Sequence, residues 1–75
     1  MVYVTYEKLR IKMVKSKIEF KDLKTIFGFS SHTIVKLKKD KLVNMDVIMR
    51  ICNYFKCDGS EIMEIIYYDE NGSLP

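Results

Sequence analysis

The sequence predicts one all-α domain of five short helices, and three observations carry that expectation. Apolar residues recur at i, i+3 and i+7 along most of the chain, the spacing that gathers them on one face of a helix. Small polar residues stand where that spacing restarts, at the points where a helix N-terminus needs a side-chain acceptor. One proline and three glycines among 75 residues leave little room for long loops or disorder.

Val2-Tyr3-Val4 is a short β-prone opening. Thr5 is placed to cap a first helix from Tyr6, whose stripe is Tyr6, Leu9 and Met13 and whose other face carries Lys8, Lys12 and Lys15; it should end near Ser16-Lys17. A second helix is expected over Glu19–Phe27, with Phe20, Leu23 and Phe27 inward. Gly28 then stands where a helix end needs a left-handed residue, and Phe29 follows as an apolar plug. Ser30 caps a third helix reaching about Lys39, with Ile34 and Leu37 inward. Asp40–Val43 is a polar connection, and Asn44 caps a fourth helix to about Lys56, striped by Ile48, Ile51, Cys52 and Phe55. The fifth helix should begin at Asp58-Gly59-Ser60, with Glu61 and Glu64 suiting its dipole and Ile62, Ile65 and Ile66 closing the core. Residues 1–68 would form the domain and 69–75 a frayed tail.

A chain this short makes a single domain that buries only ~60–65% of its unfolded surface. Its hydrophobic fraction of 48% is enough for one core. No run of ~18–20 apolar residues could span a bilayer. The first ten residues lack the apolar stretch of a secretion signal, so a cytoplasmic protein with no membrane partner is expected, and two cysteines suit a reducing compartment. Charge is unevenly spread. Eleven Lys and Arg face four acids up to Lys41, a net of +7, while two face six beyond it, a net of −4. The basic half suggests a polyanion as partner.

The stretch Phe20–Lys39 is the informative one. A helix, a glycine turn, an apolar plug, a serine cap and a further helix make the helix-turn-helix plan. With Ile34 and Leu37 inward, Ser31, His32, Thr33, Lys36 and Lys39 should face out. Short hydrogen-bonding side chains then stand near the helix N-terminus and cations further along, as a helix reading a DNA groove requires. Lys36, Lys38, Lys39 and Lys41 form a basic run suited to phosphate, with Lys38 turned away from the others.

The pattern Ile18-x-x-x-Asp22-Leu23-x-x-x-x-Gly28-Phe29-Ser30-Ser31-x-Thr33-Ile34-x-x-Leu37 resembles the Cro/repressor-type (XRE-like) regulators of bacteria and phages. Ile51-Cys52-x-x-Phe55-x-Cys57, followed by Glu61-Ile62, is similar to a compact branch of that family. The resemblance implies a lambda-repressor-like domain whose second and third helices form the helix-turn-helix, sequence-specific binding of double-stranded DNA, repression of transcription, and often a dimer. Carried over residue by residue, base contacts fall to Ser31, His32, Thr33 and Lys36, and phosphate contacts to Ser30 and Lys39. Lys41 from the basic run and Lys21 at the start of the second helix join the phosphate candidates. The chain departs from the family at Glu19, Phe20 and Lys24 in the second helix, and at Lys17, where a turn glycine is common.

Other chemistries find little support. Cys52 and Cys57 are not spaced as a metal pair, and the only histidine lies elsewhere, so no metal or cofactor is expected. The carboxylates at i, i+3 (Glu19 with Asp22, Glu61 with Glu64) read as surface residues, and neither a phosphate-cradling loop nor a nucleophile elbow is present. Enzyme activity is therefore not expected, nor is a small-molecule effector. Phe20, Lys24 and the acidic, tyrosine-rich second half leave an alternative open: a protein-interaction module on the same scaffold, with weak or no DNA binding. Ile65-Ile66-Tyr67-Tyr68 exceeds what a last helix needs. It reads either as core with a sticky end or as a homodimer surface on the fifth helix, with Val2-Tyr3-Val4 pairing to an extended C-terminal segment.

Overall fold

The structure, a computed structural model, describes residues 1–69. In chain order it comprises β1 (Val2–Thr5), α1 (Glu7–Lys15), α2 (Asp22–Phe27), α3 (Ser31–Lys38), α4 (Met45–Phe55), a single 3₁₀ turn (Gly59–Glu61) and β2 (Glu64–Tyr67). The expected tail falls almost wholly outside the described residues.

The all-α, five-helix expectation is corrected at the C-terminus. The described residues contain four α-helices, and the segment expected to be the fifth becomes the 3₁₀ turn followed by a strand. β2 pairs antiparallel with β1 in the register Val2↔Tyr67, Tyr3↔Ile66, Val4↔Ile65 and Thr5↔Glu64. The physical reason lies in residue type. Ile65, Ile66, Tyr67 and Tyr68 are β-branched or aromatic, which suits a pleated surface better than a helix. Val2-Tyr3-Val4 supplies a matching strand. Asp58, where the fifth helix was expected to begin, caps the 3₁₀ turn: its carboxylate accepts from the Ser60 N–H at 3.0 Å, and Glu61 reaches back to the Asp58 N–H. The helix it starts stops after one turn. Of the three isoleucines assigned to the core, Ile62 is fully buried while Ile65 lies exposed on the ribbon.

The core joins all four helices. Leu9 and Met13 of α1, Leu23 and Phe27 of α2, Ile34 and Leu37 of α3, and Val47, Ile48 and Ile51 of α4 are buried around Tyr6, Phe29 and Ile62. Phe20, Cys52 and Phe55 pack against its margin. The cysteines are free thiols, and burial pushes Cys57 up from its ordinary pKa, with the neighbouring Cys52 adding to the effect. Among the described residues, no three potential metal ligands cluster. No helix among them is long and apolar enough to cross a membrane.

Helix ends follow expectation with three differences, one being Asn44, which stands at the N-cap position of α4 but makes no side-chain capping bond. α1 begins at Glu7, where Thr5 Oγ1 accepts from the Glu7 N–H at 3.3 Å. α2 begins at Asp22, because Glu19–Lys21 forms a preceding turn in which the Asp22 carboxylate accepts from the Glu19 N–H at 2.9 Å. Gly28 adopts the left-handed conformation at φ 73°, and its N–H donates to the Lys24 carbonyl. Lys17, Asp40 and Lys56 hold φ of 58°, 55° and 55° beyond the ends of α1, α3 and α4.

Candidate nucleic-acid interface

The interface rests on how firmly α3 is held. Ser30 lies in extended conformation, and its Oγ accepts from the Thr33 N–H at 3.2 Å. The Ser30 hydroxyl also donates to Thr33 Oγ1 at 3.2 Å, leaving the Thr33 hydroxyl proton free to donate outward. Ile34 and Leu37 are buried and fix the rotation of the helix. At ~100° per residue, burying those two turns His32, Val35, Lys36 and Lys39 most directly outward, with Ser31 and Thr33 on either flank.

The sequence-derived candidates fall accordingly. Ser31 and His32 are exposed on the first turn, Thr33 and Lys36 are half-buried, and Lys39 closes the helix as its exposed C-cap. Lys41 is exposed just beyond. Ser30 is engaged as the cap. Lys21 lies apart, on the turn before α2, and pairs loosely with Glu19 at 3.4 Å across two well-exposed side chains. Lys38 leaves this group as expected: its ammonium sits 5.4 Å above the Phe20 ring, on the opposite flank. Lys24 is exposed and does not intrude between α2 and α3.

Sequence reasoning missed four residues that belong to this site. Val35 is 43% exposed between His32 and Lys36. The helical rotation that turned Ile34 and Leu37 inward already placed it outside. Arg50 of α4 donates to the Phe27 carbonyl and lies 5.1 Å from the Phe29 ring, which itself stacks on Phe27 at 4.9 Å. It thereby satisfies a carbonyl at the end of α2 and clamps the turn between the motif helices.

Arg10 and Asp40 make the second clamp. The Asp40 Oδ1 accepts from the Tyr6 N–H at 2.9 Å and from the Arg10 guanidinium at 2.9 Å. Arg10 also donates to the Leu37 carbonyl, and the buried Tyr6 hydroxyl donates to the Lys41 carbonyl at 2.6 Å. Asp40 therefore serves as an N-cap for α1 from 34 residues away, and the same contact anchors the end of α3. Burial pushes the Asp40 carboxyl up, but its bonds from Arg10, the Tyr6 N–H and Thr5 outweigh that and hold it below the usual carboxylate range. Burial raises the Tyr6 phenol above its ordinary value. No sequence spacing links residue 6 to residue 40, so this clamp carried no local signal.

The cations on α1 divide from those on α3. Lys8 donates to the Ser60 carbonyl at 3.1 Å and Lys12 pairs with Glu61 at 3.6 Å. The acidic second half thus offsets part of α1, while Lys36, Lys39 and Lys41 meet no carboxylate within ion-pair distance among the described residues.

Comparison with known proteins agrees with this geometry. No curated protein matches the chain. The crystal structure of the transcriptional regulator VanUg superposes with a TM-score of 0.82 at 30% sequence identity, covering 89% of each chain. The family model of the Cro/C1-type helix-turn-helix DNA-binding domain matches residues 8–67. With that match spanning most of the chain and α2, the Gly28 turn and α3 in the arrangement the motif requires, the protein belongs to the Cro/C1-type helix-turn-helix DNA-binding family.

Proposed function

We propose that the chain reads a specific sequence in double-stranded DNA by laying α3 in the major groove, and that it represses transcription by occupying promoter DNA. The observation that carries this reading is the outward face of a doubly clamped α3. Hydrogen-bonding side chains stand on its first turn, an exposed valine lies at its centre, and three lysines without carboxylate partners among the described residues follow. In this arrangement Ser31, His32, Thr33 and Lys36 address base edges, while Ser30, Lys39 and Lys41 address phosphate and fix the register. Lys21 reaches phosphate from the turn before α2. Val35 adds an apolar contact suited to a thymine methyl group. VanUg, described as a transcriptional regulator, supports the same role for this chain.

The test is selection from a pool of randomised duplexes at low and moderate salt, repeated with variants. The native protein should enrich a defined sequence. Lys39→Ala should weaken binding to all duplexes alike and lower the log–log salt slope by ~0.9, the contribution of one phosphate contact. Val35→Ala and Lys36→Ala should relax preference at one or two base pairs, by ~1–3 kcal/mol each. A Lys36→Ala variant that kept both affinity and preference would overturn the docking. Retention without enrichment would mean phosphate binding alone, and no retention would favour a protein partner.

A further inference from the structure

The C-terminal end of α4 brings the chain's two cysteines together. Lys56 turns into the left-handed region at φ 55°, and its N–H donates to the Cys52 carbonyl. The Cys57 N–H donates to the same carbonyl at 3.1 Å. This second bond folds the residue after the left-handed one back onto the last full turn of the helix, and the two side chains so apposed are frequently an apolar contact. Here both are thiols. The Cys57 thiol lies within hydrogen-bonding reach of the Cys52 thiol, and the two share an open recess with Lys56, Asp58 and Glu61. Ile48 and Ile51 of the same helix are buried in the core, whereas both cysteines are free and partly exposed. A disulfide needs Cα atoms ~4.4–6.8 Å apart and Cβ atoms turned toward each other. A pair joined by a main-chain hydrogen bond across one turn meets the first condition, and the contact between the thiols meets the second.

We propose that Cys52 and Cys57 are a redox modification site, oxidised by a hydroperoxide to a disulfide within one chain and returned to the dithiol by small cellular thiols. In the first step the thiolate of one cysteine attacks an oxygen of the peroxide. An S–O bond forms, the O–O bond breaks, and the departing oxygen takes up a proton and leaves as water or an alcohol. In the second step the other sulfur attacks the sulfenic acid. The S–S bond forms, the S–O bond breaks, and the hydroxyl leaves as water with the second thiol's proton. The two sulfurs lose two electrons and the peroxide gains them. With the second thiol already in place, the sulfenic acid is captured before it passes to the irreversible sulfinic acid. Reduction runs through a mixed disulfide with one small thiol, and a second releases the dithiol. The ring closed by residues 52–57 is short, so the bond constrains the unfolded chain little and is readily reduced. The dithiol is therefore the resting form in a reducing compartment. The site uses no residue of α3.

Peptide mapping of the full chain tests this. The protein is treated with hydrogen peroxide, remaining thiols are blocked with N-ethylmaleimide, and a tryptic digest is weighed. Trypsin cuts after Lys56, between the two cysteines, so peptides 51–56 and 57–75 stay joined only through a disulfide. The native protein should give this joined pair at the mass of a single chain less two hydrogens, and dithiothreitol should restore both thiols. Phenylarsine oxide, which closes a ring only on two neighbouring thiols, should bind the unoxidised protein one to one. Cys52→Ser and Cys57→Ser should keep the helical circular dichroism, lose both the joined pair and the arsenical, and pass through a sulfenic acid that dimedone traps. A native protein that peroxide takes only to sulfinic acid, or only to disulfides between chains, would overturn the proposal. So would one that binds no phenylarsine oxide. No DNA enters the measurement, so its failure would leave the reading of α3 standing.

Discussion

Ile34 and Val35 are neighbours with opposite environments, one in the core and one facing out between His32 and Lys36. A single residue's position relative to the helical stripe decides whether a branched aliphatic holds the fold or meets a ligand. Backbone conformation discriminates in the same way. Lys17 and Lys56 both sit in the left-handed region, where a Cβ clashes with the following carbonyl at ~1–2 kcal/mol. Neither side chain makes a hydrogen bond or ion pair among the described residues. Lys17→Gly and Lys56→Gly should therefore each stabilise the domain by about 0.5–1 kcal/mol once the entropy lost by glycine is set against the relieved clash. Thermal melts would show this as a rise of about 2–8 °C for a domain of this size. Gly28, with φ 73°, already has that advantage. The sequence made Gly28 legible because glycine there has one economical explanation, and it marked Lys17 as standing where a glycine is common. Lys56 carried no such sign, since a lysine is equally at home in a helix.

An element's identity depends on what it can pair with. The 3.6-residue period located α1 to α4 correctly because each buries one stripe against the others. It failed for 64–67, where the apolar run was continuous rather than periodic and the complementary strand lay at the far end of the chain. Helical spacing does not report such a partner; residue type does, since the β-prone Val2-Tyr3-Val4 and the apolar run at 65–68 raise a pairing with an extended C-terminal segment as an alternative. The same limit hid Arg50, which reads as a surface residue of α4 yet holds the turn of the helix-turn-helix. Arg50→Ala should remove a charge-assisted bond to the Phe27 carbonyl and the contact with Phe29. A loss of about 1.5–3 kcal/mol is expected, read from urea unfolding. Arg50→Lys should recover only part of it, because an ammonium lacks the planar face that covers the Phe29 ring.

Across the whole molecule, the division of charge seen in the sequence becomes a division of surfaces. The acidic turn at Asp58–Glu61 lies against the lysines of α1, while Lys36, Lys39 and Lys41 pair with no carboxylate among the described residues. The Asp40 clamp ties the chain's beginning to the end of that reading helix. Its carboxyl has a folded pKa below the unfolded value of ~3.9, so its stabilisation is complete above that pH and fades as pH falls through the folded value. The stability difference between the native protein and Asp40→Asn, measured by urea unfolding, should accordingly be constant near neutrality and shrink below about pH 4. Asp40→Ala also loses the cap on α1, and about 1–2 kcal/mol should go with it at neutral pH. The pairing of Met1 with Tyr68, residues 67 apart, has a consequence for kinetics as well. Closing so long a loop is the most expensive contact in chain entropy, whereas the helices and the turn between α2 and α3 are local. The helix-turn-helix can assemble early and the ribbon must zip last, so a nascent chain would have α2 and α3 in place before its two ends meet.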